Sequence, residues 1–356
     1  MAFMRHLLLR AAAVVAAVPA RVAVLACLAG CGGVVSDGAG TSSPPAPPPA
    51  VSGTNPGTPP APPRPVDVTN DDPLAHGRSL AVDDAFAFVG SEGAGTSLAR
   101  FSASLASAGT PLSKGSFFSI VLDDTSTYAV RDGRFLVRVP KTGGAETILT
   151  TVAGAAYASE LHIAGGSAYF FSMVTTGLEH QTSHCTLARM PLAGGTPTPL
   201  LTYDGCGALV VDDRAVYTVR GTDMLAIPVD GTAPTVLSTV MGGDRYDLAQ
   251  DATRIWVASL HDSRIFSVPK AGGAVAAHST TLGLPYAIIA DRDDLYWLES
   301  PGIGGGVARA DVKTAPKSGG PARTLLSNVE GAEALAVNTE GVYVAGFGAL
   351  HRVARH

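Results

Sequence analysis

The chain has 356 residues, of which 46% are hydrophobic and 15% charged, and its formal net charge is −5 at pH 7. That much apolar side chain supports a large folded core, whereas the acidic balance argues against a nucleic-acid surface and the spacing of polar residues against a membrane bundle. Residues 1–30 hold three Arg and no acid, so the remainder carries 25 − 3 = 22 Lys+Arg against 30 Asp+Glu, a balance of −8.

In chain order, residues 1–30 come first. Arg5 and Arg10 precede an Ala/Val/Leu run that ends in the small residues of "LAGC", the pattern of a secretory signal. Pro19 and Arg21 interrupt the run, so no stretch reaches the roughly 18 apolar residues of a spanning helix. Leu28-Ala29-Gly30-Cys31 resembles the bacterial lipobox, which implies cleavage before Cys31 and a lipid on its sulfur. Residues 41–65 contain 11 prolines in 25 positions and cannot form helix or ladder. Residues 31–65 are therefore a tether, which as polyproline II reaches roughly 100 Å at about 3.1 Å per residue.

From residue 78 the chain repeats. "LAVDDAFAF", "IVLDDTSTY", "LHIAGGSAY", "LVVDDRAVY", "LAQDATRIW", "IIADRDDLY" and "LAVNTEGVY" align without gaps on Phe88, Tyr128, Tyr169, Tyr217, Trp256, Tyr296 and Tyr343. The aromatics are spaced by 39 to 48 residues, and five residues before each stands Asp83, Asp123, Ala164, Asp212, Asp251, Asp291 or Asn338. Each unit reads as strand, tight turn at the Asp, strand through the aromatic, loop, strand, glycine turn and short strand, with no helical period. Four short antiparallel strands per unit make a propeller blade. The predicted fold is thus all-β, a seven-bladed propeller over residues 66–356.

The seventh unit stops after its third strand at "ALHRVARH", and "VDVT" at 66–69 is placed to supply the fourth, closing the ring and removing open sheet edges. The units resemble bacterial YWTD/NHL-like and TolB-like propeller repeats, with "DLYWLES", "RIWVASL" and "AVYTVRG" in the aromatic strand. The resemblance implies the fold and leaves function open, since such propellers serve as receptors, scaffolds and enzymes. The YWTD class usually has six blades, and the seven here depart from it.

In an up-and-down blade, turns after strands one and three fall on one face and loops after strands two and four on the other. The aspartates are expected to accept backbone N–H bonds in their turns rather than hold ions. The glycine turns "RVPKTGG", "RMPLAGG", "SVPKAGG" and "APKSGG" share that face, and Leu192 in the second copy makes the lysine replaceable. The opposite face carries the long loops, 172–185 in blade three and 299–308 in blade six, and is the expected binding face.

His76, Arg78, Glu160, Arg245, Tyr246, Tyr286 and Glu333 are the candidates at its channel mouth. Cys185 and Cys206 are expected to form a disulfide if the chain is exported, the alternative being two buried thiols. His162, His180 and His184 are weak metal candidates, because His-x-x-x-His is diagnostic on a helix and none is expected here. "GIGGGVA" at 302–308 lacks the last glycine of a dinucleotide fingerprint, and no nucleophile elbow, phosphate loop or calcium loop is present, so no cofactor is expected.

These features lead to an expectation of a monomeric lipoprotein of the bacterial envelope, placed at the outer membrane, whose propeller binds an envelope protein or glycan and no nucleic acid. The alternative is a propeller enzyme of the lyase or hydrolase class with a site at the channel mouth.

Overall fold

The computed structural model describes residues 66–67, 76–92, 97–152, 157–176, 182–239, 246–280, 283–302 and 309–355, all within the unit Pro59–His356. The side chains of residues 66–67, 76–78, 175–176, 182–183 and 280 are outside that description. So are the expected signal segment and tether, with Cys31, and also His180 and Arg245.

Seven four-stranded antiparallel sheets form a seven-bladed β-propeller. The innermost strands, blade by blade, are His76–Val82, Phe117–Leu122, Tyr157–Ala164, Leu209–Val211, Tyr246–Gln250, Leu284–Ala290 and Ala334–Asn338. Each touches its successor, and Ala334–Asn338 returns against His76–Val82 to complete the ring. Second strands carry the repeated aromatic, third strands lead to the glycine turns, and fourth strands form the rim. As expected, the fourth strand of blade seven comes from the N-terminal side: Val66–Asp67 pairs with Ala349–Val353 in the register Val66↔Leu350 and Asp67↔Ala349.

Burial follows the radius. Second strands such as Ser126–Arg131, Ala215–Arg220 and Gly341–Ala345 are buried almost throughout. Their sequences are runs of Val, Ala and Tyr rather than alternating patterns, because a neighbouring blade covers each sheet face. Rim strands such as Thr147–Thr151 and Thr235–Thr239 are mostly exposed and rich in Thr.

The core is divided into seven hydrophobic clusters, one at every interface between adjacent blades. The repeated aromatic wedges into the interface with the following blade: Tyr169 packs with Leu209 and Val216, and Tyr296 with Leu335 and Val342. Burying such a ring contributes about 1.5–3 kcal/mol, seven times around the ring.

The aspartate turn does more than reverse the chain. In blade four, Asp212 Oδ1 accepts from the N–H groups of Arg214 at 2.9 Å and Ala215 at 3.0 Å, which is the expected turn bond. Its Oδ2 accepts from the hydroxyl of Tyr217 at 3.1 Å and from Lys270 Nζ, in blade five, at 2.7 Å. Asp83 receives Lys141 at 2.8 Å and Asp251 receives Lys317 at 3.2 Å, each lysine belonging to the next blade. Trp256 Nε1 and the Tyr128 hydroxyl reach Asp251 and Asp123 as Tyr217 reaches Asp212.

The lysine of "RVPKTGG" is therefore an inter-blade latch, which corrects the reading of it as a replaceable turn residue. Leu192 replaces it in blade three, and Asp123 of blade two accepts from Thr125, Ser126 and Tyr128, with no lysine among its described partners. Blade seven lacks the glycine turn, and there the C-terminal Arg355 pairs with Asp291 and donates to the Tyr296 hydroxyl.

Blade three lacks the aspartate. Ala164 stands in its place, and Gly165 and Gly166 take φ of 52° and 71°, so a tight hairpin replaces the carboxylate-capped turn. The expected long loop 172–185 is also mostly strand. Ser167–Thr176 and Thr182–Pro191 pair without interruption from Ser167↔Pro191 to Thr176↔Thr182, so the hairpin extends beyond its neighbours and only residues 177–181 connect it.

Candidate functional site at the channel mouth

Inner strands run from the loop face toward the aspartate turns, so residues early in each strand lie nearest the loop-face mouth of the channel. Aligning the seven strands on their conserved aliphatic position places Ser79, Ser119, Glu160, Ala208, Asp247, Ala287 and Ala334 in one column. Small neutral residues fill five places. Blades three and five carry carboxyls.

Glu160 sits in a β-bulge between Ser159 and His162, with φ of 53°. Ser119 and Ala287 occupy matching bulges at φ of 48° and 50°. A non-glycine residue in this left-handed region costs roughly 1 kcal/mol, so the bulge is imposed by the surrounding ladder rather than chosen by Glu160.

The surrounding protein strips water from the Glu160 carboxyl and pushes its pKa up to about 8, with the negative charge of Asp247 as the second cause. Some surface remains accessible to water-sized contact, as expected for a group lining a narrow channel. No described group donates a hydrogen bond to it.

Asp247 differs in its partners. Its Oδ1 accepts from its neighbour Leu248 N–H at 2.9 Å and its Oδ2 from Ile288 N–H at 2.8 Å, which pins the bulge of blade six. Burial nevertheless outweighs these bonds and raises the carboxyl to about 6. Burial thus raises both carboxyls, and the Asp247 charge adds to the rise at Glu160. His162 follows on the same strand as Glu160. Burial lowers its pKa to about 4, so its ring is neutral.

The other expected mouth residues divide. Tyr286 donates its hydroxyl to Ala332 O at 2.9 Å, tying the inner strand of blade six to the entry of blade seven. Burial and then the charge of Glu333 raise its phenol further. Tyr246 opens the inner strand of blade five and packs against the cluster between blades four and five. His76 and Arg78 lie on the first inner strand, with their side chains undescribed, and Arg245 is outside the described residues.

The structure thus brings Glu160 to Asp247 and Tyr286 to Glu333. Asp247 was absent from the sequence expectation, although the column it shares with Glu160 marks it.

The metal candidates separate. His184 lies on the third strand of blade three, exposed, with Nδ1 2.6 Å from Asp204 Oδ1 on the rim strand, whereas His162 lies on the innermost strand. Among the described residues no group of three His, Cys, Asp or Glu comes close enough to hold a metal ion. Cys185 and Cys206 form the expected disulfide, with Cα atoms 5.4 Å apart. It ties the third strand of blade three to the passage into blade four, closing a loop worth about 3 kcal/mol on the chain-entropy account.

Two hollows lie elsewhere. One of about 890 Å³ opens on the aspartate-turn face between blades one and two, around Phe86, Asp124, Arg138 and Lys141. Another of about 450 Å³ surrounds Trp256, His278 and Lys317 between blades five and six. Both are clefts between adjacent blades, and their lysines are neutralised by Asp83 and Asp251.

No family model matches the chain, and no curated protein sequence matches it either. Solved structures do. An oligogalacturonate lyase from Vibrio parahaemolyticus aligns at a TM-score of 0.59 and 10% identity, over 80% of this chain and 95% of the lyase. The computationally designed Ika8 protein aligns at 0.55 and 11%, over 79% of this chain and 96% of the design. Because one is an enzyme and the other a design, at such identities, what the chain shares with them is the propeller fold.

Proposed function

We propose that the chain is an exported lipoprotein, anchored through a lipid on Cys31 and spaced from the bilayer by residues 31–65, whose propeller is a binding module working through its loop face. The expected partner is an envelope protein or a glycan, met at the channel mouth by a monomer. The observation that carries the binding part is the Glu160–Asp247 pair, two coupled carboxyls where the other blades have Ser or Ala. The disulfide supports export, since such bonds persist outside the reducing cytoplasm.

Two measurements test this. Metabolic labelling with palmitate and sedimentation with membranes are both expected to be lost in Cys31→Ala; recovery of the full-length chain from the cytoplasm would overturn the export reading. Capture from native envelopes should yield a partner that Glu160→Gln releases and Asp84→Asn, on the opposite face, retains. Equal capture by both variants would place binding elsewhere.

One observation favours an enzyme as the second reading. Two coupled carboxyls with separated pKa values, about 8 and about 6, supply a proton donor beside a base at neutral pH. Turnover of an acidic polysaccharide by elimination, abolished in Glu160→Gln, would establish it in place of the binding module.

A further inference from the structure

We propose that the cleft between blades five and six binds a small monoanionic carboxylate with an apolar body, its carboxylate on Arg254 and its body against His278, Ala276 and Ala277. The cleft lies on the aspartate-turn face, so this site is additional to the one proposed on the loop face.

The first support is a break in the repeat. In blades one to six the pairing of third and rim strands slips by one residue, and in five of them the extra residue of that β-bulge is Leu112, Leu149, Leu200, Leu237 or Leu325. Each leucine packs into the hydrophobic cluster shared with the next blade. In blade five the extra residue is His278, which meets Trp256 edge to face with ring centroids 5.3 Å apart. Its Nε2 is enclosed, with no partner among the described residues. A leucine would leave no desolvated polar atom there, so the histidine works against the packing that its five counterparts serve.

The second support is the cavity at that break. The cleft measures about 450 Å³ and is lined by Trp256, Ser267, Ala276, Ala277 and His278. Small-molecule sites span about 300–1,000 Å³. Trp256 pairs across the sheet with Ser267, where the same column holds Arg100 in blade one and Arg189 in blade three. Those arginines cross to the next blade's backbone, at Lys141 O and Val229 O, and Ser267 is too short to do so.

The third support is charge. Arg254 and Lys317 give +2 against −1 for Asp251, a surplus of one positive charge among the described lining residues. Burial lowers the pKa of His278, so its ring adds no charge. Asp251 is fully engaged: Oδ1 accepts from the Thr253 and Arg254 N–H groups at 2.9 Å, and Oδ2 from Trp256 Nε1 at 2.8 Å and Lys317 at 3.2 Å. The Arg254 guanidinium is anchored on Ser267 Oγ at 2.8 Å and has no carboxylate partner among the described residues. Its planar fork matches a carboxylate, and one surplus charge matches a monoanion. In the cleft between blades one and two, Asp83, Asp84 and Asp124 outnumber Arg138 and Lys141, so the same ligand is not expected there.

Benzoate is the probe, with benzamide as its uncharged isostere and benzylammonium as its cationic counterpart. Calorimetry of the full chain at pH 7.5 should show saturable benzoate binding, at least tenfold weaker binding of benzamide and none of benzylammonium. Arg254→Gln should weaken benzoate at least tenfold. His278→Leu restores the residue of the other five bulges, so it should raise the melting temperature while weakening benzoate at least tenfold, because the ring is withdrawn from the ligand. A packing role alone would give the first change without the second. Glu160→Gln, on the opposite face, should bind benzoate as the parent does.

Equal binding of benzoate and benzamide, unchanged affinity in Arg254→Gln or in His278→Leu, or loss of binding in Glu160→Gln would each overturn the inference.

Discussion

At the scale of single residues, a turn aspartate can join three parts of the structure. Asp212 satisfies two turn N–H groups, the hydroxyl of its own blade's aromatic and the lysine of the next blade. Its carboxyl is held below the usual range, because Lys270 and the turn N–H groups outweigh the desolvation that would raise it. Removing it strands every one of these partners, whereas removing Lys270 strands one charge that is still partly solvated. Asp212→Ala should therefore cost roughly 2–4 kcal/mol, and Lys270→Met about 1 kcal/mol. Melting curves of the two variants check the order, and equal losses would show that the ion pair, not the turn, carries the stability.

Glu160 gives a second residue-scale prediction, with the opposite sign of shift. The native chain holds its proton up to about pH 8, whereas the unfolded chain releases it near the ordinary 4.5. The native state then binds more protons over that interval, so stability falls as pH rises and levels off above about 8. Asp247 does the same at lower pH, up to about 6, and His162, held neutral, loses stability only below its ordinary 6.5. Between pH 6.5 and 8 the slope belongs to Glu160 among the described groups whose values are this displaced. The melting temperature should decline across that range, and Glu160→Gln should flatten the curve. A decline that survives the substitution would assign it to another group.

At the scale of elements, the ring is closed at several points of unequal strength. Val66–Asp67 adds a short strand to blade seven and covers one edge of its third strand. Across the same seam, Asn338 donates to Asp83 O at 2.7 Å, Tyr343 to Ala103 O at 2.6 Å, and Ala336 and Tyr343 pack with Leu80 and Phe101. Deleting residues 66–69 should therefore lower the melting temperature without abolishing the fold, and should raise aggregation through the uncovered strand edge. Thermal melting with light scattering reads both effects, and an unchanged melting temperature would show that the seam holds without the added strand. The paired glycines at 165–166 show the same economy: where the aspartate is missing, backbone freedom replaces side-chain capping.

At the scale of the whole molecule, the fold was legible because a propeller is periodic. An aliphatic and an aromatic at fixed offsets in seven copies, with an aspartate between them in five, specify strand, turn and strand, and an aromatic that must be buried on both sides specifies packing between blades. Incomplete blade seven and the segment at 66–69 likewise revealed the closure. The long hairpin of blade three was less legible, because "HQTSHC" lacks a strand-like alternation and its pairing depends on the facing strand.

The latch lysines and Asp247 stayed hidden for a related reason. Lys141 and Asp83 are 58 residues apart, and only the curvature of the ring brings one blade's glycine turn over its neighbour's aspartate turn. Glu160 and Asp247 belong to blades three and five, and only closure into a ring removes their water and lets the charge of Asp247 act on Glu160. The sequence by itself determined the repeat, the strand order and the faces, since these depend on local spacing. Tertiary structure alone decided which turn acids meet a cation of the next blade and which inner-strand acids are raised by burial, since that depends on through-space distance and on desolvation.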